Sequence, residues 1–83
     1  MKKLFILDVR SPEEYESGCK EDAINIPLED IYNDTPLSKS ILGNIAKNDE
    51  IQVYCFSGSR AEMAKKILNG MGYENVVNLG GIY

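Results

Sequence analysis

The sequence predicts an α/β domain in which helices are layered on a mainly parallel sheet of about four strands, joined by right-handed crossovers. Three observations carry this. Four short apolar or β-branched runs, at 4–7, 23–26, 51–54 and 76–79, are spaced along the chain. Helical patterns stand between them, most clearly an apolar stripe at Ala61, Ala64, Ile67, Leu68 and Met71. The first run, Leu4-Phe5-Ile6-Leu7, is unbroken rather than alternating, which suits a strand covered on both faces.

Asp8-Val9-Arg10 closes that first strand. Ser11-Pro12-Glu13-Glu14 then starts a short helix, with Ser at the N-cap, Pro in the first turn and acids at the positive end of the dipole. It ends near Gly18. The strand at 23–26 is closed by Pro27, and residues 28–32 form one or two helical turns before the polar break Asn33-Asp34-Thr35-Pro36. Ser38 caps a helix reaching about Lys47, with Ile41, Leu42, Ile45 and Ala46 on one face. The third strand, 51–54, is rich in β-branched and aromatic residues. A Gly/Ser loop and the long helix follow, stopped by Gly70 or Gly72. The last strand, 76–79, runs into a turn at Gly80-Gly81.

The 83 residues make one domain, 1–83, and leave no room for a second. A net charge of -4, with Lys and Arg scattered apart from Lys2-Lys3 and Lys65-Lys66, offers no patch to follow a phosphate backbone, which argues against nucleic acid. The same acidity repels small anions at long range, so any anion site has to be local. After Met1-Lys2-Lys3 the apolar stretch is cut by Asp8 and Arg10, too short for a secretory signal, and no segment approaches membrane-spanning length; the cytoplasm is the expected location. Cys19 and Cys55 lie far apart in a chain without histidine or a CxxC pair. A zinc site and, in the cytosol, a disulfide are both disfavoured, so two free thiols with different jobs are expected.

Cys55 leaves a buried strand and faces the start of a helix at about Ser59 to Ala61. Unpaired amides and a dipole of about half a charge at a helix N-terminus favour an anion there. A thiolate is such an anion, so the Cys55 thiol should fall below its free pKa of about 8.5. Gly58 and the small Ser57 and Ser59 let the loop Cys55-Phe56-Ser57-Gly58-Ser59-Arg60 curl with its amides inward. Arg60 adds a positive charge or bonds loop carbonyls to hold the turn. The plainer alternative is that Cys55 is a small buried residue ahead of a helix capped by Ser59. Asp8, Arg10 and Glu14 lie near the same carboxyl end of the sheet, where ligands bind in such folds. They read mainly as supports, Asp8 bonding amides near the loop and Arg10 pairing with Glu14.

Two blocks of sequence resemble the rhodanese homology domain, together covering nearly the whole chain. The first is Asp8-Val9-Arg10-Ser11-Pro12-Glu13-Glu14-Tyr15-Glu16-Ser17-Gly18 with Ala23-Ile24-Asn25-Ile26-Pro27. The second is Val53-Tyr54-Cys55-Phe56-Ser57-Gly58-Ser59-Arg60-Ala61, then Gly72-Tyr73 and the run from Val76 to Gly81. The resemblance implies a three-layer α/β/α rhodanese-like fold, here shortened at both ends, and a sulfurtransferase with Cys55 as its catalytic residue. Cys55 would take a sulfane sulfur from thiosulfate or a persulfide donor, hold it as a persulfide, and pass it to cyanide or a thiol, including a protein sulfur acceptor. No metal or organic cofactor is required. Cysteine-dependent phosphatases, including those sharing the fold, use a loop one residue longer between Cys and Arg, which argues against phosphatase activity.

Some features depart from the family pattern. Cys19 stands where His is usual; it reads as a small, partly buried substitute or, more sharply, as a resolving thiol for Cys55. Phe56, Ser57 and Ser59 leave Arg60 as the loop's only cation, which points away from rapid turnover of dianionic thiosulfate. Phe56 is expected either at the loop mouth or packed on a neighbouring helix. The short ends predict an exposed sheet edge, and with it a homodimer or a partner protein. A binding module that keeps the fold without turnover is the second reading. The intact Cys55 and Gly58-Ser59-Arg60 favour the enzyme, and an ordinary, slow thiol at Cys55 would favour the module.

Overall fold

The structure is a computed structural model that describes residues 3–81; Met1 and Lys2, where the signal-peptide reading begins, lie outside them. Its elements run β1 (Leu4–Asp8), α1 (Pro12–Glu16), β2 (Ala23–Asn25), α2 (Leu28–Asn33), α3 (Pro36–Leu42), β3 (Glu50–Cys55), α4 (Ser59–Gly70) and β4 (Asn75–Gly81). The strands form a four-stranded sheet in the order β2-β1-β3-β4, with every pairing parallel. This is the α/β architecture expected from the sequence. With right-handed crossovers, that order puts α1 on one face of the sheet and α2, α3 and α4 on the other.

The register explains where the core lies. Leu7 pairs with Val53 and Phe5 with Ile51, so the odd-numbered residues of β1 and β3 share one face. Leu7, Val9, Ile51, Val53 and Cys55 are buried there beneath Ala61, Ala64 and Leu68 of α4 and Ile31 of α2. The expected α4 stripe therefore packs as read, except that Met71, the C-cap residue, is 38% exposed. The helix ends one residue too early for Met71 to lie beneath it.

The opposite face carries the even-numbered residues of β1 and β3 and, since Gln52 pairs with Val77, the odd-numbered Val77 of β4. Asp8 and Tyr54 are buried at its carboxyl end, while Leu4, Val77 and Leu79 remain 53%, 45% and 40% exposed. Only one end of that face is well covered.

Three boundaries differ from the sequence reading. The helix expected from Ser38 to Lys47 begins earlier and ends sooner, at Pro36 and Leu42. Thr35 caps it, its hydroxyl accepting from Ser38 N–H, because Pro36 suits the first helical position. Gly80-Gly81 continues β4 rather than turning away. The strand takes up one extra residue between Asn78, opposite Val53, and Gly81, opposite Cys55, and this bulge keeps the pairing going.

Candidate active site

Cys55 ends β3 on the α4 side of the sheet and is fully buried. Phe56, Ser57 and Gly58 then turn the chain into α4. Gly58, not Ser59, is the N-cap, with φ of 97°. Glycine is needed there because the left-handed conformation strains any side chain, and a Cβ would meet Gly80 Cα at 3.3 Å. No side chain caps α4, so its first amides stay available.

Those amides turn to the sulfur. Gly58 N–H donates to Cys55 Sγ at 2.9 Å. Burial by itself pushes the Cys55 thiol up, but the amides of Ala61, Gly58, Ser57 and Arg60 together outweigh it, and the thiol pKa is lowered. The inward curl expected of this loop is present, and its anion-holding power comes from backbone rather than side chains. Ser57 and Ser59 hydroxyls meet each other at 3.4 Å at the surface, and Phe56 is 59% exposed at the loop mouth.

Arg60 does not reach back over the loop. Its guanidinium makes a two-bond pair with Glu14 of α1, Nη1 to Oε1 at 2.7 Å and Nη2 to Oε2 at 3.0 Å. Glu14 is correspondingly pulled down to about 2, chiefly by Arg60 and then by the Ser11 amide it also accepts from. The pair ties α1 to the start of α4 and neutralises the loop's cation.

The expected Arg10–Glu14 pair is therefore corrected. Arg10 lies two residues after Asp8 along an extended segment, on the same side, and bonds it instead. Its Nη2 donates to Asp8 Oδ2 at 2.7 Å and its Nε to Oδ1 at 3.0 Å, both groups being buried. Asp8 likewise does not bond the loop amides. It accepts from Arg10 N–H at 2.9 Å and from Tyr54 Oη at 2.9 Å, on the face of the sheet away from Cys55. Asp8 and Arg10 thus support the site at one remove, by fixing the strand residue that precedes Cys55.

Cys19 is exposed, and its neighbours anchor its segment on the Tyr54 side. Gly18 carbonyl accepts from Arg10 Nη2 at 2.6 Å, and Lys20 N–H donates to Tyr54 Oη at 2.9 Å. Tyr54 and Cys55 point to opposite faces of β3. The Cys19 segment is thus anchored to side chains on the face of the sheet opposite Cys55.

Two groups at the end of β4 were missed in the sequence. Asn78 Nδ2 donates to Gly58 carbonyl at 3.1 Å, while its Oδ1 accepts from Gly80 N–H at 2.7 Å. Gly81 lies so close to the Phe56 carbonyl that a Cβ would clash with it. The signal was the Asn-Leu-Gly-Gly run itself, read as a turn rather than as a wall of the loop. Beside the loop, a cavity of about 220 Å³ is lined by Val9, Ser11, Pro27, Leu28, Glu29 and Arg60. A larger hollow lies at the amino ends of β3 and β4, away from the sulfur. Among the described residues, no group of three or more His, Cys, Asp or Glu is placed to hold a metal ion, and no helix is long and apolar enough to cross a membrane.

Comparison with known proteins agrees with this geometry. The model of the rhodanese-like domain family matches residues 1–83. The chain is 40% identical over 76 residues to thiosulfate sulfurtransferase PspE of Escherichia coli, covering 92% of this chain and 68% of that one. It is 35% identical to the putative sulfur carrier protein YrkF of Bacillus subtilis, covering 94% of this chain but only 38% of that protein. Among solved structures, a rhodanese with anions from E. coli superposes with a TM-score of 0.81 at 38% identity, covering 95% of this chain and 87% of the other. The family match over the whole chain and these likenesses settle the assignment: the chain belongs to the rhodanese-like domain family as a rhodanese-type sulfurtransferase.

Proposed function

We propose that this chain, acting as one domain, carries sulfane sulfur on Cys55. The thiolate attacks the outer sulfur of a donor, the donor's S–S bond breaks, and the bonding pair leaves with the remainder, as sulfite from thiosulfate or as a thiolate from a persulfide. Cys55 then holds the sulfur as a persulfide. An acceptor, cyanide or a thiol, attacks that outer sulfur and returns Cys55 as thiolate. The observation that carries this reading is the set of inward amides at Cys55, with Gly58 N–H at 2.9 Å from Sγ and the thiol pKa lowered in spite of full burial.

Two further features refine it. Arg60, the loop's single cation, is matched by Glu14, which favours a persulfide donor over dianionic thiosulfate. Leu4, Val77 and Leu79 are exposed apolar side chains, separated at β3 by Glu50 and Gln52, that a protein acceptor or a second copy would cover. A reducing cytoplasm fits two cysteines that are both free thiols.

The test is intact mass after incubating reduced protein with thiosulfate, and separately with a persulfide donor, for wild type, Cys55→Ser and Cys19→Ser. One sulfur should be gained by wild type and Cys19→Ser, be lost to cyanide, and never appear on Cys55→Ser. No gain with either donor would overturn the carrier reading in favour of a binding module.

A further inference from the structure

The cavity beside the loop adjoins the nucleophile through two of its walls. Arg60 contributes an amide to the set around Cys55 Sγ and also lines the cavity. Val9, another wall, donates its N–H to Tyr54 carbonyl at 3.1 Å, against the peptide that leads into Cys55. The cavity opens where ligands bind in parallel sheets, beyond the carboxyl ends of β1 and β2. Its volume, about 220 Å³, lies below the range of drug-sized pockets and suits a molecule of a few heavy atoms.

Its chemistry is specific in sign. Val9, Pro27 and Leu28 give an apolar wall, and Ser11 a hydroxyl. The guanidinium of Arg60 is already bonded to both carboxylate oxygens of Glu14, and the nearby Arg10 is bonded to Asp8. Glu29, at the second position of α2, lines the cavity and is exposed, and among the described residues it has no ion pair or side-chain hydrogen bond. Among the described residues, Arg60 and Arg10 are thus each paired with a carboxylate, whereas Glu29 has no ion-pair partner. A second anion pays Coulomb repulsion there, whereas an ammonium group gains attraction.

Resting on the carrier reading, we infer that this cavity seats the organic part of the sulfur donor, and that Glu29 selects small persulfides bearing an ammonium group over anionic donors. The aliphatic carbons lie against Val9, Pro27 and Leu28, and the ammonium lies toward Glu29. The step is Cys55–S⁻ plus R–S–SH giving Cys55–S–SH plus R–S⁻; the donor's S–S bond breaks as the new one forms, the leaving pair departs on R–S⁻, and no oxidant or reductant is consumed.

The experiment compares two persulfides of similar size, made in solution from sulfide and the disulfides of cysteamine and of 3-mercaptopropionate. The rate of sulfur gain on Cys55 is followed by intact mass for wild type, Glu29→Gln, Glu29→Lys and, as a charge control far from the cavity, Glu74→Gln. Wild type and Glu74→Gln should prefer the ammonium donor by about threefold, the size expected of one exposed charge pair. The preference should vanish in Glu29→Gln and reverse in Glu29→Lys. An unchanged ratio in both Glu29 variants would overturn the proposal, as would an equal loss in Glu74→Gln, which would assign the preference to the overall charge. If neither persulfide nor thiosulfate loads wild-type Cys55, the carrier reading itself fails and this inference falls with it.

Discussion

At Asn78 a single carboxamide holds three groups: the Gly58 carbonyl and Glu62 Oε1 accept from its Nδ2, each at 3.1 Å, and the Gly80 amide donates to its Oδ1. Gly58 is the residue whose own N–H meets the sulfur, so Asn78 steadies the peptide that lowers the thiol pKa. Losing a hydrogen bond worth about 1 kcal/mol corresponds to a rise of up to about one pKa unit. Asn78→Ala is expected to move the Cys55 titration upward, read from thiolate ultraviolet absorbance with Cys55→Ser as the blank. An unmoved titration in a folded variant would confine Asn78 to holding β4. The partners of Arg10 and Arg60 show what a residue-level reading leaves open. Asp8 and Arg10 are two apart and so share a side of extended chain, a cue present in the sequence. The Arg60–Glu14 pair joins residues 46 apart and depends on how α1 and α4 are juxtaposed. No local pattern contains that.

Between elements, the decisive contact is β4 against the loop after β3. The bulge at the end of β4 brings Gly81 opposite Cys55, with no room for a methyl group beside Phe56 carbonyl. Gly81→Ala is expected to cost about 1–3 kcal/mol in denaturant unfolding, as overpacking does, and to displace the loop amides so that sulfur loading slows as well. Loss of stability without slower loading would mean the strand gives way and the loop does not. The strand-loop-helix around Cys55 was legible because a β-branched run, a Gly/Ser break and a 3.6-residue stripe follow one another directly. The cap was not placed at Gly58 because serine is the commoner N-cap, and only the required positive φ favours glycine. The bulge was likewise hidden, since two glycines after a strand read equally well as a turn.

Across the whole molecule, the charge balance is acidic, yet Asp8 and Glu14 beside the site are each committed to an arginine. Glu14 has its pKa lowered from an ordinary 4.5 to about 2, so it stabilises the fold fully above 4.5, and that contribution is lost as pH falls through about 2. Thermal melts of wild type and Glu14→Gln should therefore differ by a constant amount at neutral pH and converge between pH 4.5 and 2. A gap that persists undiminished at the acid end would assign the effect to helix capping instead. Fold class, strand order along the chain and the strand-loop-helix that carries Cys55 were all readable from periodicity and motif. Coverage of the sheet was less so: an apolar run such as Leu4-Phe5-Ile6-Leu7 suits burial on two sides, while Leu4 is 53% exposed.

The division of labour in the loop has a consequence for how such a site changes over time. Its grip on sulfur is vested in main-chain N–H groups that every amino acid supplies, fixed by glycines at 58 and 81 and by Asn78. Phe56, Ser57 and Ser59 point their side chains outward, and Glu29 stands on another element altogether. On the proposed reading, substitution at those four positions would retune which donor or acceptor approaches while the main-chain amides around Cys55 keep their place, and recognition would drift independently of reactivity.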